Sequence, residues 1–307
     1  METKTHDNKQ ATTSARSHYT TDAVISADGT SIGYRQYGQG PGIVLVQGAM
    51  GTAQNFSTLA EALSDTFTVY VPDRRGRGLS PLPYQQNHTI KRDVEDLEAL
   101  LAKTGTHNVF GLSSGAVISL AAASDSTTIH KLAVFEPALF EKRPLPTAEL
   151  ARFDRAIAQG NTAAALAVAG KAVQMSPVLN YMPNWLLTFL TSRIMASEDK
   201  QSQGDSPTMR EMAATLQYDF RDISEMHGKP QQWKAIQAEV LLLGGSKSPA
   251  YLKADLDALE KVMPHATRIE FAGLAHAASW NYDKQRNPGG KPELVAQALR
   301  QFFSEAK

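Results

Sequence analysis

Apolar positions in this chain follow two rhythms, short unbroken runs and runs spaced three or four residues apart, and from about residue 40 the two alternate. Gly42-Ile43-Val44-Leu45-Val46 is an unbroken run of the kind that both faces of a parallel sheet bury. Phe67 to Val71, Asn108 to Phe110, Leu132 to Phe135, Val240 to Leu243 and Arg268 to Phe271 repeat it. Between these runs, Phe56, Leu59 and Leu63, then Val94, Leu97, Leu100 and Leu101, recur at helical spacing. Leu252, Leu256, Leu259 and Met263 do so later, as do Val295, Leu299 and Phe302. Strand, helix, strand is a parallel crossover. Ahead of them, Ala23 to Ala27 and Ser31 to Tyr37 are joined through Asp28-Gly29-Thr30, a hairpin signal, so the sheet opens antiparallel. The pattern predicts an α/β fold with a mostly parallel eight-stranded sheet flanked by helices.

One stretch breaks the alternation. From Glu141 to about Gln231 no strand pattern appears, only helical spacing: Leu150, Phe153 and Ile157, then Trp185, Leu186, Phe189 and Leu190, then Met212, Leu216 and Phe220. The domain plan is a flexible tail over 1–20, a core over 21–140 and 232–307, and an all-helical lid over 141–231. Trp185 with Phe189 and Leu186 with Leu190 make adjacent stripes, so that helix is expected to be covered on more than one side or to face a cavity.

Composition narrows the partners. Lys plus Arg and Asp plus Glu both number 31, so the formal charge is zero and no broad basic field offers itself to nucleic acid or an anionic membrane. The expected partner is a small, neutral molecule. There is no cysteine, which removes thiol nucleophiles, disulfides and Cys-based zinc sites. Residues 1–20 are polar without an apolar block and read as a tail, not a signal peptide. No run approaches about 18 apolar residues, the length a spanning helix needs; the expected location is the cytoplasm.

Chemistry concentrates where strands end. Gly111-Leu112-Ser113-Ser114-Gly115 reads as a strand end, a tight turn and a helix start, a place to mount a strained serine with its Oγ exposed above the sheet. The helix from Ser114 to about Ala123 is built of small residues that let it lie close to the sheet, and its free N–H groups aim at Ser113. A serine hydroxyl needs a base. Of eight histidines, His6 and His18 lie in the tail, and His88, His107, His130, His227 and His265 sit in polar loops or helix ends. His276 follows a strand through a Gly-x-x-His turn and comes after the serine in the chain, which makes it the candidate base. The strand Val240 to Leu243 is followed by Gly245-Ser246-Lys247-Ser248-Pro249, with no carboxylate, so the candidate acid is Glu136 at the end of the strand after the serine. Asp73 ends an earlier strand and is expected to brace Arg75 or loop N–H groups. The backbone N–H groups of Ser114 and Ala49 suit an oxyanion hole. No phosphate-cradling glycine pattern opens a helix, and no metal or cofactor is expected.

Gln47-Gly48, Asp73-Arg74-Arg75-Gly76-Arg77-Gly78-Leu79-Ser80, Gly111 to Gly115 and Gly273-Leu274-Ala275-His276, in this order and spacing, resemble the α/β-hydrolase superfamily over roughly residues 22–140 and 235–305. The resemblance implies Ser113 as nucleophile, His276 as base and Ala49 with Ser114 as oxyanion hole. Two positions depart from the family pattern: Gln47 stands where histidine is common, and Ser248 where the acid is common. The implied activity is hydrolysis of a carboxylic ester or lactone through an acyl-enzyme, with Met50 and the lid residues Met175, Tyr181, Met182, Trp185 and Met195 suited to a lipophilic substrate. A lyase or cofactor-free perhydrolase on the same fold, and a silent ligand-binding homologue, are the alternatives.

Overall fold

The hairpin turn at Asp28-Gly29-Thr30 folds β1 (Tyr19–Ile25) onto β2 (Ser31–Tyr37) in antiparallel register, closed by Ser26 N–H to Thr30 O at 2.8 Å. In the computed structural model, residues 18–82, 85, 87–174, 177–201 and 207–304 are described. β1 starts at Tyr19, inside the stretch read as tail, because Tyr19 has partners: its ring lies 5.2 Å from that of Tyr37 and Arg35 stacks over it. The remaining tail, residues 1–17, lies outside the described residues.

The other strands are β3 (Gly42–Val46), β4 (Thr68–Pro72), β5 (Asn108–Leu112), β6 (Lys131–Phe135), β7 (Glu239–Gly245) and β8 (Thr267–Phe271). They form one eight-stranded sheet in the order β1-β2-β4-β3-β5-β6-β7-β8. β2 runs antiparallel to β4, and every pair from β4 to β8 is parallel. The alternation of strand side chains splits the core in two. Val44, Val46, Val109, Leu132, Val134, Val240 and Leu242 face one layer, and Ile43, Leu45, Phe110, Ala133, Phe135, Leu241 and Leu243 the other. α1 (Ser57–Leu63) and α11 (Pro292–Ser304) cover the second layer. α2 (Ile90–Thr104), α3 (Ser114–Asp125) and α10 (Ala250–Val262) cover the first. α3 has no polar face to spare, since Ser114 to Ala123 are all buried between sheet and neighbouring helices.

Between β6 and β7 the described residues form helices and loops and no strand: α4 (Thr147–Ala158), α5 (Thr162–Ala172), α6 (Pro177–Tyr181), α7 (Asn184–Gln201), α8 (Met209–Ala213) and α9 (Leu216–Met226). Phe153, Ala156, Ala165, Ala169 and Leu216 form its own small core, and Ala49 and Met50 of the sheet domain pack against it. α7 departs from the sequence expectation. Leu187 and Met195 turn inward, while Trp185 is 72% and Phe189 56% exposed, so the aromatic stripe faces outward and is left uncovered among the described residues. Among the described residues, no helix is long and apolar enough to cross a membrane.

Candidate active site

Ser113 occupies the turn between β5 and α3 with φ +56° and ψ −120°, a strained conformation for a residue with a side chain. Its N–H donates to Phe135 O at 3.0 Å, which fixes the turn to the end of β6. Gly115 is required by proximity: a Cβ there would collide with the carbonyls of Val46 and Gln47. The half-buried serine therefore sits at the mouth of the sheet's carboxyl edge with a helix N-terminus behind it.

The structure brings Glu136 and His276 together. Glu136, fully buried and at φ +46°, directly follows β6, and its N–H donates to Leu243 O at 3.0 Å. Its Oε2 lies 2.7 Å from His276 Nδ1, and its Oε1 accepts the Gly245 N–H at 2.6 Å. A carboxylate held at Nδ1 keeps the proton on that nitrogen and leaves Nε2 as the basic one. Gly244-Gly245 is what admits this acid. A Cβ on Gly244 would press within 3.1 Å of Glu136 Oε1, and one on Gly245 would collide with the Leu274 carbonyl. Ser248, at the family's usual acid position, is buried, and its hydroxyl has no partner among the described residues. Asp255 on α10 accepts the N–H groups of Leu139, Phe140 and Glu141 at 2.9–3.0 Å and so clamps the chain just past Glu136; burial pushes its pKa up to about 6 against those bonds.

Two backbone amides border the serine. The loop after β3 turns at Met50, φ +61°, and lies so close that a Cβ on Gly48 would stand 2.9 Å from Ser113 Cβ. Among the described residues, neither the Ala49 nor the Ser114 amide donates to a protein acceptor, which leaves both for a ligand oxygen. Gln47, in place of the common histidine, points down and donates to Pro72 O at 2.6 Å. Asp73 braces loops as expected, accepting Ala53 N–H at 2.6 Å and Leu79 N–H at 2.9 Å; Arg75 instead pairs with Asp96 and Asp28.

Beneath this loop lies a buried charge cluster that sequence reasoning missed. Arg74 bonds Asp93 at 3.1 Å, Asp219 at 2.6 Å and Asp222 at 3.0 Å. Arg77 bonds Asp219 at 2.5 Å and, through its other terminal nitrogen, Gly48 O at 3.0 Å and Gly51 O at 3.2 Å. His88, read from the sequence as a polar-loop residue, is buried with Nε2 2.9 Å from Asp222 and 3.0 Å from Asp93. Burial opposes a charge on its ring, but the hydrogen bond to Asp222 and the charges of both carboxylates together outweigh burial and push its pKa up to about 9. The ligand atoms of His88, Asp93 and Asp222 lie within 4.8 Å of one another, yet Arg74 already sits on both carboxylates, so the group fits a charge-paired cluster and not a cation site. A sequence signal existed: Leu216, Asp219, Ile223 and Met226 share one face of α9, which places a carboxylate in an apolar stripe.

The residues expected to line a substrate site are less gathered. Met50 is half-buried against Phe153, Ala165 and Leu216 and their neighbours, and Met182 is half-buried. Tyr181, the last residue of α6, is 91% exposed, and Trp185, in the first turn of α7, faces solvent; Met195 is buried in the insert, and Met175 lies outside the described residues. A cavity of about 680 Å³ opens at the base of α4, α5 and α7, lined by Arg143, Glu149, Arg152, Lys171 and Asn184 among others; Ser113, Glu136 and His276 are not in its wall.

Known proteins share this layout. A crystal structure of an alpha/beta hydrolase from Sphaerobacter thermophilus DSM 20745 superposes with a TM-score of 0.71 at 29% identity, covering 92% of this chain and 100% of that one. An uncharacterized hydrolase of Bacillus subtilis (strain 168), YraK, is 35% identical over 124 residues, 39% of this chain and 46% of the relative. A cis-3-alkyl-4-alkyloxetan-2-one decarboxylase of Shewanella oneidensis is 32% identical over 133 residues, 40% of this chain and 42% of the relative. The matches thus span less than half the length of these two relatives. Residues 43–296 match the profile of the alpha/beta hydrolase family from inside the first parallel strand to the last helix, and with the sheet order and the strand-end turns this chain belongs to that family.

Proposed function

We propose that the chain is a serine hydrolase that cleaves a carboxylic ester or lactone of a small to medium lipophilic substrate through an acyl-enzyme. Ser113 Oγ attacks the carbonyl carbon while His276 Nε2 takes its proton. The oxyanion of the tetrahedral intermediate accepts the Ala49 and Ser114 amides. On collapse His276 returns the proton to the departing alkoxide, and water, activated by the same ring, then releases the acid and regenerates Ser113. Glu136 orients the imidazole and stabilises its cation. The helical insert is a lid over this centre, and Met50 packs against its small core.

The observation that carries the reading is the 2.7 Å contact between Glu136 and His276 Nδ1, since a silent binding protein has no need of a buried acid held on a strand-end histidine. A serine-directed phosphonate should label Ser113, and Ser113→Ala should lower ester cleavage at least about 10³-fold. Labelling of another residue, or retained activity, would overturn it. The name of the Shewanella oneidensis relative favours a second reading, a lyase on a related centre. The two part on a four-membered lactone: hydrolysis yields one hydroxy acid, decarboxylation yields carbon dioxide and an alkene.

A further inference from the structure

Asp219 belongs to the inserted α9, far in the chain from any strand end, yet one carboxylate there holds both sides of the amide pair around Ser113. Its Oδ1 accepts the Ser114 hydroxyl at 2.6 Å and the Arg74 guanidinium at 2.6 Å. Its Oδ2 accepts Arg77 at 2.5 Å, and Arg77 in turn donates to the carbonyls of Gly48 and Gly51, which flank Ala49 and Met50. Ser114 supplies one free amide and the Gly48–Gly51 loop the other. Asp219, Arg74, Arg77 and Ser114 are all buried, so no water competes for these bonds.

We propose that Asp219 is a positioning residue for the oxyanion hole, setting the spacing of the Ala49 and Ser114 amides through Ser114 Oγ on one side and Arg77 on the other. The inference rests on the serine-hydrolase reading above. Met50 at φ +61° explains why such a brace is needed: a strained loop relaxes unless its carbonyls are held, and Arg77 holds them only while its own charge is matched. Donors placed for the transition state act on the rate more than on substrate binding.

The test compares Asp219→Asn with Asp222→Asn. Asp222 meets Arg74 and His88 in the same cluster but touches neither Ser114 nor Arg77. Asp219→Asn is expected to lower kcat about 10²-fold with KM for the same ester changed less than about threefold. Phosphonate labelling of Ser113 should slow in step, since that adduct uses the same amides. Asp222→Asn is expected to lower the melting temperature while keeping kcat within about threefold of wild type. Equal losses of kcat in the two variants, or an unchanged kcat in folded Asp219→Asn, would overturn the proposal. Should Asp219→Asn fail to fold, Ser114→Ala decides: it keeps the amide and removes the hydroxyl that donates to Asp219 and accepts Arg74 at 3.2 Å; a reduced kcat at constant KM supports the brace, and an unchanged kcat refutes it. Wild-type protein that is not labelled at Ser113 takes down the underlying reading, and this one with it; labelling of Ser113 at equal rates in wild type and Asp219→Asn takes down this one alone.

Discussion

Along the carboxyl edge of the sheet, each candidate residue is tied to its neighbour by backbone: Ser113 N–H to Phe135 O, Glu136 N–H to Leu243 O, and Gly245 N–H to the Glu136 side chain. α9 reaches the same centre by another means, through buried aspartates paired with arginines and a histidine 134 to 148 positions earlier in the chain. The edge takes its geometry from a parallel sheet that would form anyway, so its side chains are free to serve chemistry. The cluster takes its geometry from charge pairing, in which every member lost leaves another charge buried and unmatched. Substitutions at the edge should therefore act on rate and those in the cluster on stability, except at Asp219, which touches both.

The sharpest contrast is at Glu136. Glu136→Gln keeps the shape but removes the charge that fixes the His276 tautomer, and kcat should fall on the order of 10³- to 10⁴-fold with the melting temperature nearly unchanged, as paired kinetics and thermal melts would show. Arg74→Met tests the other side: leaving Asp93, Asp219 and Asp222 one buried cation short should cost about 3–5 kcal/mol in urea unfolding. A change under about 1 kcal/mol would erase the distinction. A smaller effect comes from pH. His88 holds its proton more tightly when folded, so its contribution is fully present below its unfolded pKa of about 6.5 and is lost as pH rises through about 9. Unfolding free energy should decline over that window, and the decline should be absent in His88→Gln. Smallest of all, Trp185→Ser on the uncovered face of α7 should shift stability by no more than about 0.5 kcal/mol and leave turnover of a soluble ester unchanged.

The same contrast explains what could be read from the sequence. Ser113, Glu136 and His276 stood out as candidates because glycine-marked turns at strand ends are local patterns, and the structure places Glu136, chosen for want of a carboxylate near Ser248, against His276. The parallel strands followed from short apolar runs and the first two from the hairpin signal: β2 and β3 keep the expected bounds, β4 spans Thr68–Pro72 where Phe67 to Val71 was expected, and β1 spans Tyr19–Ile25 where Ala23 to Ala27 was expected. His88 and Asp219 were not legible in the same way, because nothing near either residue names its partner. The outward turn of Trp185 and Phe189 was missed because a helix with apolar residues on two stripes does not say which stripe is buried; Leu187 and Met195, not the aromatics, face the core.

Asp255 has a mechanical consequence. It grips the outgoing chain at Leu139 to Glu141, and the α9 aspartates grip the returning chain, so the insert stands on two fixed posts. To swing out in one piece, the insert would have to break one of these posts, as a bridge deck would have to leave an abutment.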